Sequence, residues 1–162
     1  MASTADTLTV AAEPGGLTIR ITREFDAPPA LVYRVMTDPE TWPRWWGPRR
    51  YQTVVDRMDV RVGGGWQARN IDDAGNEFVF HGEYREIVPG ERVVQTFEFE
   101  GAPGEVSVET MTLEDLGGRT RMTVVSEFSS TEARDGMIAG GMEDGMRETY
   151  ERLDEELANA AD

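Results

Sequence analysis

With no cysteine, no lysine and a single histidine, any chemistry in this chain must come from carboxylates, hydroxyls, guanidiniums and one imidazole. That excludes a lysine Schiff base, a cysteine thiolate and a two-histidine metal site. Glu109 is the candidate catalytic group that remains. In the run 105–114 it shares strand parity with Met111 and Leu113, so it faces the same side as those apolar residues. A carboxylate facing an apolar cavity has a raised pKa and can serve as an acid or a base. The plainer expectation is that Glu109 pairs with an arginine or reaches water near a sheet edge. The same parity argument turns Gln95 inward with Val93, Phe97 and Phe99, Ser126 with Met122, Val124 and Phe128, and Tyr84 with Phe78 and Phe80. A single bulge would reverse any of these assignments. Tyr84 is expected as a core tyrosine with a bonded hydroxyl, and Ser126 has no base with which to build a triad. His81 falls on the outward parity and is expected at the surface.

Two other clusters could border a site. Trp42, Trp45 and Trp46 occupy five residues punctuated by Pro43, Gly47 and Pro48. At spacings of three and four they share one helical face, where they either anchor a short helix to the core or line a cavity mouth. Met137, Met142 and Met146 supply a soft, adaptable apolar surface near the C-terminus. By contrast, Gly63-Gly64-Gly65 precedes a strand rather than a helix, which argues for a tight turn and against a phosphate loop. Asp72 and Asp73 lack the ligand spacing of a calcium loop.

These residues need a scaffold, and the hydrophobic pattern supplies one. Residues 1–16 are small and polar and read as a flexible tail, with Leu8 and Val10 able to add an edge strand. From Leu17 a period-two alternation predicts a strand to about Phe25. Asp26 followed by Pro28 and Pro29 predicts a carboxylate-capped helix start. Leu31, Val32, Val35 and Met36 form that helix's stripe, Asp38-Pro39 ends it, and a second short helix carries the tryptophans. Six strands are predicted at 51–61, 65–71, 77–87, 92–100, 105–114 and 119–128. Gly- and Pro-containing turns join them, and loops this short imply an antiparallel meander. A long helix follows, capped by Ser129 or Ser130, with a stripe running from Ile138 through Met142, Met146, Tyr150 and Leu153 to Leu157 and a break expected near Gly140-Gly141. Residues 143–162 carry eight acids against two arginines, which reads as a solvated outer face.

The chain's length of 162 residues suits one domain, here 17–160 after the tail. An α+β helix-grip fold is expected: a curved antiparallel sheet wrapped around a long C-terminal helix that covers its apolar face. Sixteen basic residues against 31 acidic ones give a net charge of −15, which argues against nucleic acid and anionic membranes as partners. No apolar run approaches the roughly 20 residues that span a bilayer. Met1 to Gly16 lacks the basic start and apolar centre of a signal peptide, so a cytoplasmic location is expected.

Several short pieces, in order, carry a family resemblance: Arg23-Glu-Phe-Asp-Ala-Pro28, Thr37-Asp-Pro39, Trp45-Trp-Gly-Pro48, Val60-Arg-Val-Gly-Gly64, Gly82-Glu-Tyr-Arg-Glu-Ile-Val-Pro89 and Gly140-Gly-Met-Glu-Asp-Gly145. The chain resembles the activator of heat-shock protein 90 ATPase homologue-like family of the START-like (SRPBCC) superfamily, from about residue 17 to 158. It departs from the family at Met146, where an aromatic is common. The resemblance implies a helix-grip domain whose superfamily relatives bind lipids, sterols, polyketides or plant hormones, while a few catalyse cyclisation. Fold alone does not choose among these. The expected role is binding of a small, largely apolar ligand, without cofactor or metal. The expected pocket residues are Trp45, Phe80, Tyr84, Gln95, Phe97, Glu109, Met111, Ser126, Met142 and Met146. A cyclase-like enzyme using Glu109 and Tyr84 is the alternative. A chaperone partner, which the family's name suggests, ranks behind both, and the oligomeric state is left open.

Overall fold

Alternation in the first predicted strand places Ile19, Ile21, Arg23 and Phe25 on one face, and all four are almost completely buried in the computed structural model, which describes residues 7–160. That strand, β2 (Thr18–Phe25), lies between a short edge strand, β1 (Thr9–Ala11), and the last strand of the chain, β8 (Thr120–Glu127). The remaining strands are β3 (Gln52–Met58), β4 (Gly65–Ile71), β5 (Glu77–Val88), β6 (Arg92–Phe99) and β7 (Val106–Asp115). The sheet order is β1-β2-β8-β7-β6-β5-β4-β3, and every neighbouring pair is antiparallel. β1 falls within the segment expected as a flexible tail: Val10 pairs opposite Ile21, and Leu8 is buried. Residues 1–6 of that tail lie outside the described residues.

Register shifts between Val55 and Arg57 in β3, and between Tyr84 and Glu86 in β5, mark bulges that bend and twist the sheet. Gly82, just before the second, leaves room for a ring: a Cβ there would collide with the Thr96 carbonyl oxygen and the Trp66 indole nitrogen. The Trp66 side chain therefore packs onto bare β5 backbone, a close approach that only glycine permits.

The long crossover from β2 to the far edge strand β3 carries α1 (Pro29–Thr37) and α2 (Trp42–Trp45). Val32 and Val35 bury the α1 stripe, and Asp38 terminates the helix. The expected Asp26 cap is corrected here. Pro28 is the N-cap, without a side-chain bond, while the Asp26 carboxylate accepts from Arg119 Nε at 2.8 Å. A guanidinium partner forms a charge-assisted bond, and a proline in the first turn already tolerates the missing N–H groups.

At the other end of the chain, Ser130 Oγ accepts from Ala133 N at 3.0 Å and starts α3 (Thr131–Ala139). The break falls at Gly140-Gly141, where Gly141 has φ +85°, and α4 (Met142–Ala160) follows. The break turns Ile138 out of the expected stripe, and it is 39% exposed. Tyr150, Leu153 and Leu157 remain buried against the sheet.

The acids of α4 are less solvated than expected. Asp154 takes a bidentate pair from buried Arg23, at 2.8 and 2.7 Å. Glu155 pairs with Arg49, and Glu156 with Arg44 at 3.8 Å. Arg49 is thus tied to α4 rather than pointing freely into water. Arg152 donates to the carbonyls of Arg44 and Gly47, each at 2.6 Å. These contacts bind the tryptophan segment to the helix above it.

Candidate functional site

The two halves of α4 meet the sheet differently. Its C-terminal half closes on Phe25 and the other core side chains of β2, with Tyr150 edge-on to Phe25 at 5.8 Å. Its N-terminal half, Met142 to Thr149, stands over a cavity of about 320 Å³, within the range of small-molecule sites. β6, β7 and β8 supply the floor, β4 and β5 a side wall, and the α2 segment with Pro48 closes one end. Met137 borders the space and is 39% exposed.

The structure brings all ten sequence-predicted pocket residues to this wall. Phe80 and Tyr84 stand on β5, Gln95 and Phe97 on β6, Glu109 and Met111 on β7, Ser126 on β8, Met142 and Met146 on α4, and Trp45 on α2. His81 points to the opposite face, with Nδ1 3.2 Å from Glu100 and Nε2 3.5 Å from Glu98. Trp45 is the most enclosed of the tryptophans in the α2 segment, and its Nε1 donates to the Val35 carbonyl at 3.4 Å.

Sequence reasoning left out part of the aromatic wall. Trp42 stacks on Trp46 at 4.6 Å, Trp46 meets Phe80 at 5.3 Å, Phe80 meets Phe97 at 5.4 Å, Phe97 meets Trp66 at 5.9 Å, and Trp66 returns to Trp42 at 5.9 Å. The five rings form a closed circuit beside the cavity. Trp66 was findable by parity, since it alternates with Ala68 and Asn70 and lies opposite Gly82. Its Nε1 is buried without a partner among the described residues. Tyr150, also missed as a cavity residue, follows Met142 and Met146 at intervals of four on one face of α4.

The polar groups converge on Glu109. Gln95, Glu109 and Ser126 sit directly opposite one another on adjacent strands. Gln95 Nε2 donates to Glu109 Oε1 at 3.2 Å, and Ser126 Oγ donates to Oε2 at 3.4 Å. The expected arginine partner is not there. The nearest arginines in sequence are taken at the other end of β8, Arg119 by Asp26 and Glu24, Arg121 by Glu114 and Glu24. Desolvation raises the Glu109 pKa, and the bonds from Gln95 and Ser126 offset only part of that. Burial also raises the Tyr150 pKa, with the Glu109 carboxyl adding to it. Tyr84 is raised by burial first, then by Tyr33 and Asp59. Contrary to expectation, no hydrogen bond engages the Tyr84 hydroxyl among the described residues.

No group of three or more His, Cys, Asp or Glu side chains among the described residues is arranged to hold a metal ion. No helix among them is long and apolar enough to cross a membrane.

A curved antiparallel sheet gripping a long C-terminal helix, with two short helices after its first long strand, defines a START-like helix-grip domain. Similar solved structures include a solution structure from Arthrobacter aurescens, 31% identical, covering 93% of this chain and 91% of that one with a TM-score of 0.85. A Mycobacterium smegmatis protein is 25% identical over 91% of this chain and 94% of its own, with a TM-score of 0.81. A Rhodobacter sphaeroides protein shares the fold at 23% identity, with 94% and 99% coverage and a TM-score of 0.86. The family model for Activator of Hsp90 ATPase homolog 1-like protein matches residues 26–158, and the chain belongs to that family. Comparison with curated proteins finds no match.

Proposed function

We propose that this domain binds a small, largely apolar molecule in the cavity between the concave face of the sheet and α4. The observation that carries the reading is the cavity itself, about 320 Å³ bordered largely by tryptophan, phenylalanine and methionine, with Gln95, Glu109 and Ser126 side by side on its floor and Arg57 and Asn70 at its β3–β4 side. Protein interiors of this size ordinarily close on themselves. Here the aromatic rings of the α2 segment, β4, β5 and β6 line one side of the space and Met142 and Met146 of α4 another. The reading requires neither cofactor nor metal, and it goes with a cytoplasmic location. Native mass spectrometry after gentle purification, followed by calorimetric melting with lipids, aromatics and polyketides, tests it. A ligand at 100 times its Kd stabilises by about 2.7 kcal/mol. A Tm unmoved by every class, with no retained mass, would overturn it.

Turnover of the bound molecule is a second reading, supported by Glu109 and Tyr84 bordering one space. Under it, Glu109→Gln abolishes turnover while the domain still holds apolar molecules. The Hsp90 link in the family's name supports a third reading, as a chaperone partner. It ranks behind the others because the large exposed apolar side chains of the described residues, Leu17, Val62, Val88, Met137 and Ile138, are spread over separate segments. A standard interface covers about 800 Å² on each partner.

A further inference from the structure

The polar corner of the cavity has an unusual balance of donors. Gln95 Nε2 and Ser126 Oγ approach the two oxygens of Glu109, at 3.2 and 3.4 Å, and no cation pairs with that carboxyl among the described residues, Arg57 bordering the cavity from β3. From the roof, Tyr150 borders the same space, close enough for Glu109 to oppose its ionisation. No hydrogen bond contributes to the environment of its hydroxyl, and the residue borders the cavity. Arg23, the cation that acts on Tyr150, is committed to Asp154 and does not border the cavity.

We propose that the Glu109 carboxylic acid and the Tyr150 hydroxyl form a two-donor cradle for a carbonyl or enolate oxygen on an otherwise apolar ligand. The proposal rests on the cavity being a binding site, and it adds the chemical class of the occupant. Desolvation favours the protonated form of both groups, so each brings an O–H into an apolar space. A donor that borders an apolar space gains from an acceptor brought to it. One carbonyl oxygen has two lone pairs and can satisfy both donors at once. Gln95, bonded to the other side of the carboxyl, orients it, so Gln95 is a positioning residue. A carboxylic acid kept neutral by an apolar site, working beside a tyrosine, is a known way to hold an oxygen on which negative charge develops.

Three probes of one shape test the idea: tetralin, 1-tetralone and 1-aminotetralin, titrated calorimetrically into the wild type, Glu109→Leu and Tyr150→Phe. Tyr150→Phe keeps the ring that meets Phe25, so it retains the packing of α4. The expected result is that each substitution weakens tetralone binding about tenfold relative to tetralin binding by the same variant, the effect of one hydrogen bond. The tetralone carbonyl stretch, read by infrared difference spectroscopy, should shift to lower frequency on binding to the wild type and shift less in each variant. If tetralin binds and tetralone is insensitive to both substitutions, the cradle is overturned while the cavity reading stands. If Glu109→Leu weakens aminotetralin far more than tetralone, Glu109 is a counter-ion to an amine and the cradle is again overturned. If none of the three binds, the cradle is overturned for ketones of this shape, and the binding reading is decided separately by the wider screen and the native mass spectrum.

Discussion

Placing the Glu109 carboxyl beside an apolar cavity, hydrogen-bonded only by the neutral Gln95 and Ser126, makes its charge costly, and that cost is measurable as pH dependence. Its folded-state pKa lies above its ordinary value of 4.5. The native state therefore binds more protons than the unfolded state across the interval between the two values. Glu109 contributes its full stability below about pH 4.5 and loses it as pH rises through the folded-state value. Glu109→Gln removes that dependence. Denaturant unfolding at pH 4.5 and pH 8 should show the variant gaining on the wild type at the higher pH, and parallel pH profiles would contradict the assignment. Strand parity made the inward direction of Glu109, Gln95 and Ser126 legible from sequence. Their partners were not, because parity gives a face and says nothing of register or of distant groups. The arginines nearest to Glu109 in sequence, Arg119 and Arg121, pair with Glu24, Asp26 and Glu114, and the first two of those acids lie more than ninety residues from them in sequence. The same long-range pairing took Asp26 from its expected cap.

The two halves of α4 should respond to mutation in opposite ways. Leu153 is completely buried, and Leu153→Ala should cost about 2–5 kcal/mol in urea unfolding. Met146, one side of which faces the cavity, should cost about 1 kcal/mol or less on conversion to alanine, with its main effect on ligand affinity. Equal losses at both positions would mean that the cavity half is packed like the rest of the core. Arg23 and Asp154 fasten the solid half. Asp154→Ala leaves a buried guanidinium without its partner, and a loss of about 3 kcal/mol is expected, the low end for a broken buried pair because Asp154 is partly exposed. A loss under about 0.5 kcal/mol would show that water replaces the carboxylate freely. The helical stripe and its glycine break were readable from periodicity, whereas this clip was not. Arg23 occupies an inward position on β2, where parity alone would have an apolar residue, and only the helix packed above explains a cation there.

Across the whole molecule, turn chemistry and periodicity were enough to lay out the antiparallel meander and the covering helix, since consecutive strands are joined by short turns and pair locally. The position of α2 was not legible, because the crossover from β2 to β3 spans the sheet and its path is set by contacts with α4. The net charge of −15 and the scattered exposed hydrophobics lead to a further expectation. The purified domain, added in excess to the Hsp90 of its own source, should leave ATP hydrolysis unchanged, and saturable stimulation would promote the chaperone reading. Three of the chain's four tryptophans, Trp45, Trp46 and Trp66, make ring contact with the fourth, Trp42, and all four border the cavity. Their emission therefore comes from a single locality, and the stacked pair Trp42 and Trp46, inclined by 22°, has transitions close enough to couple. The protein carries its own optical gauge: light absorbed by indole reports occupancy at that locality, while events confined to the far end of the sheet pass almost unseen.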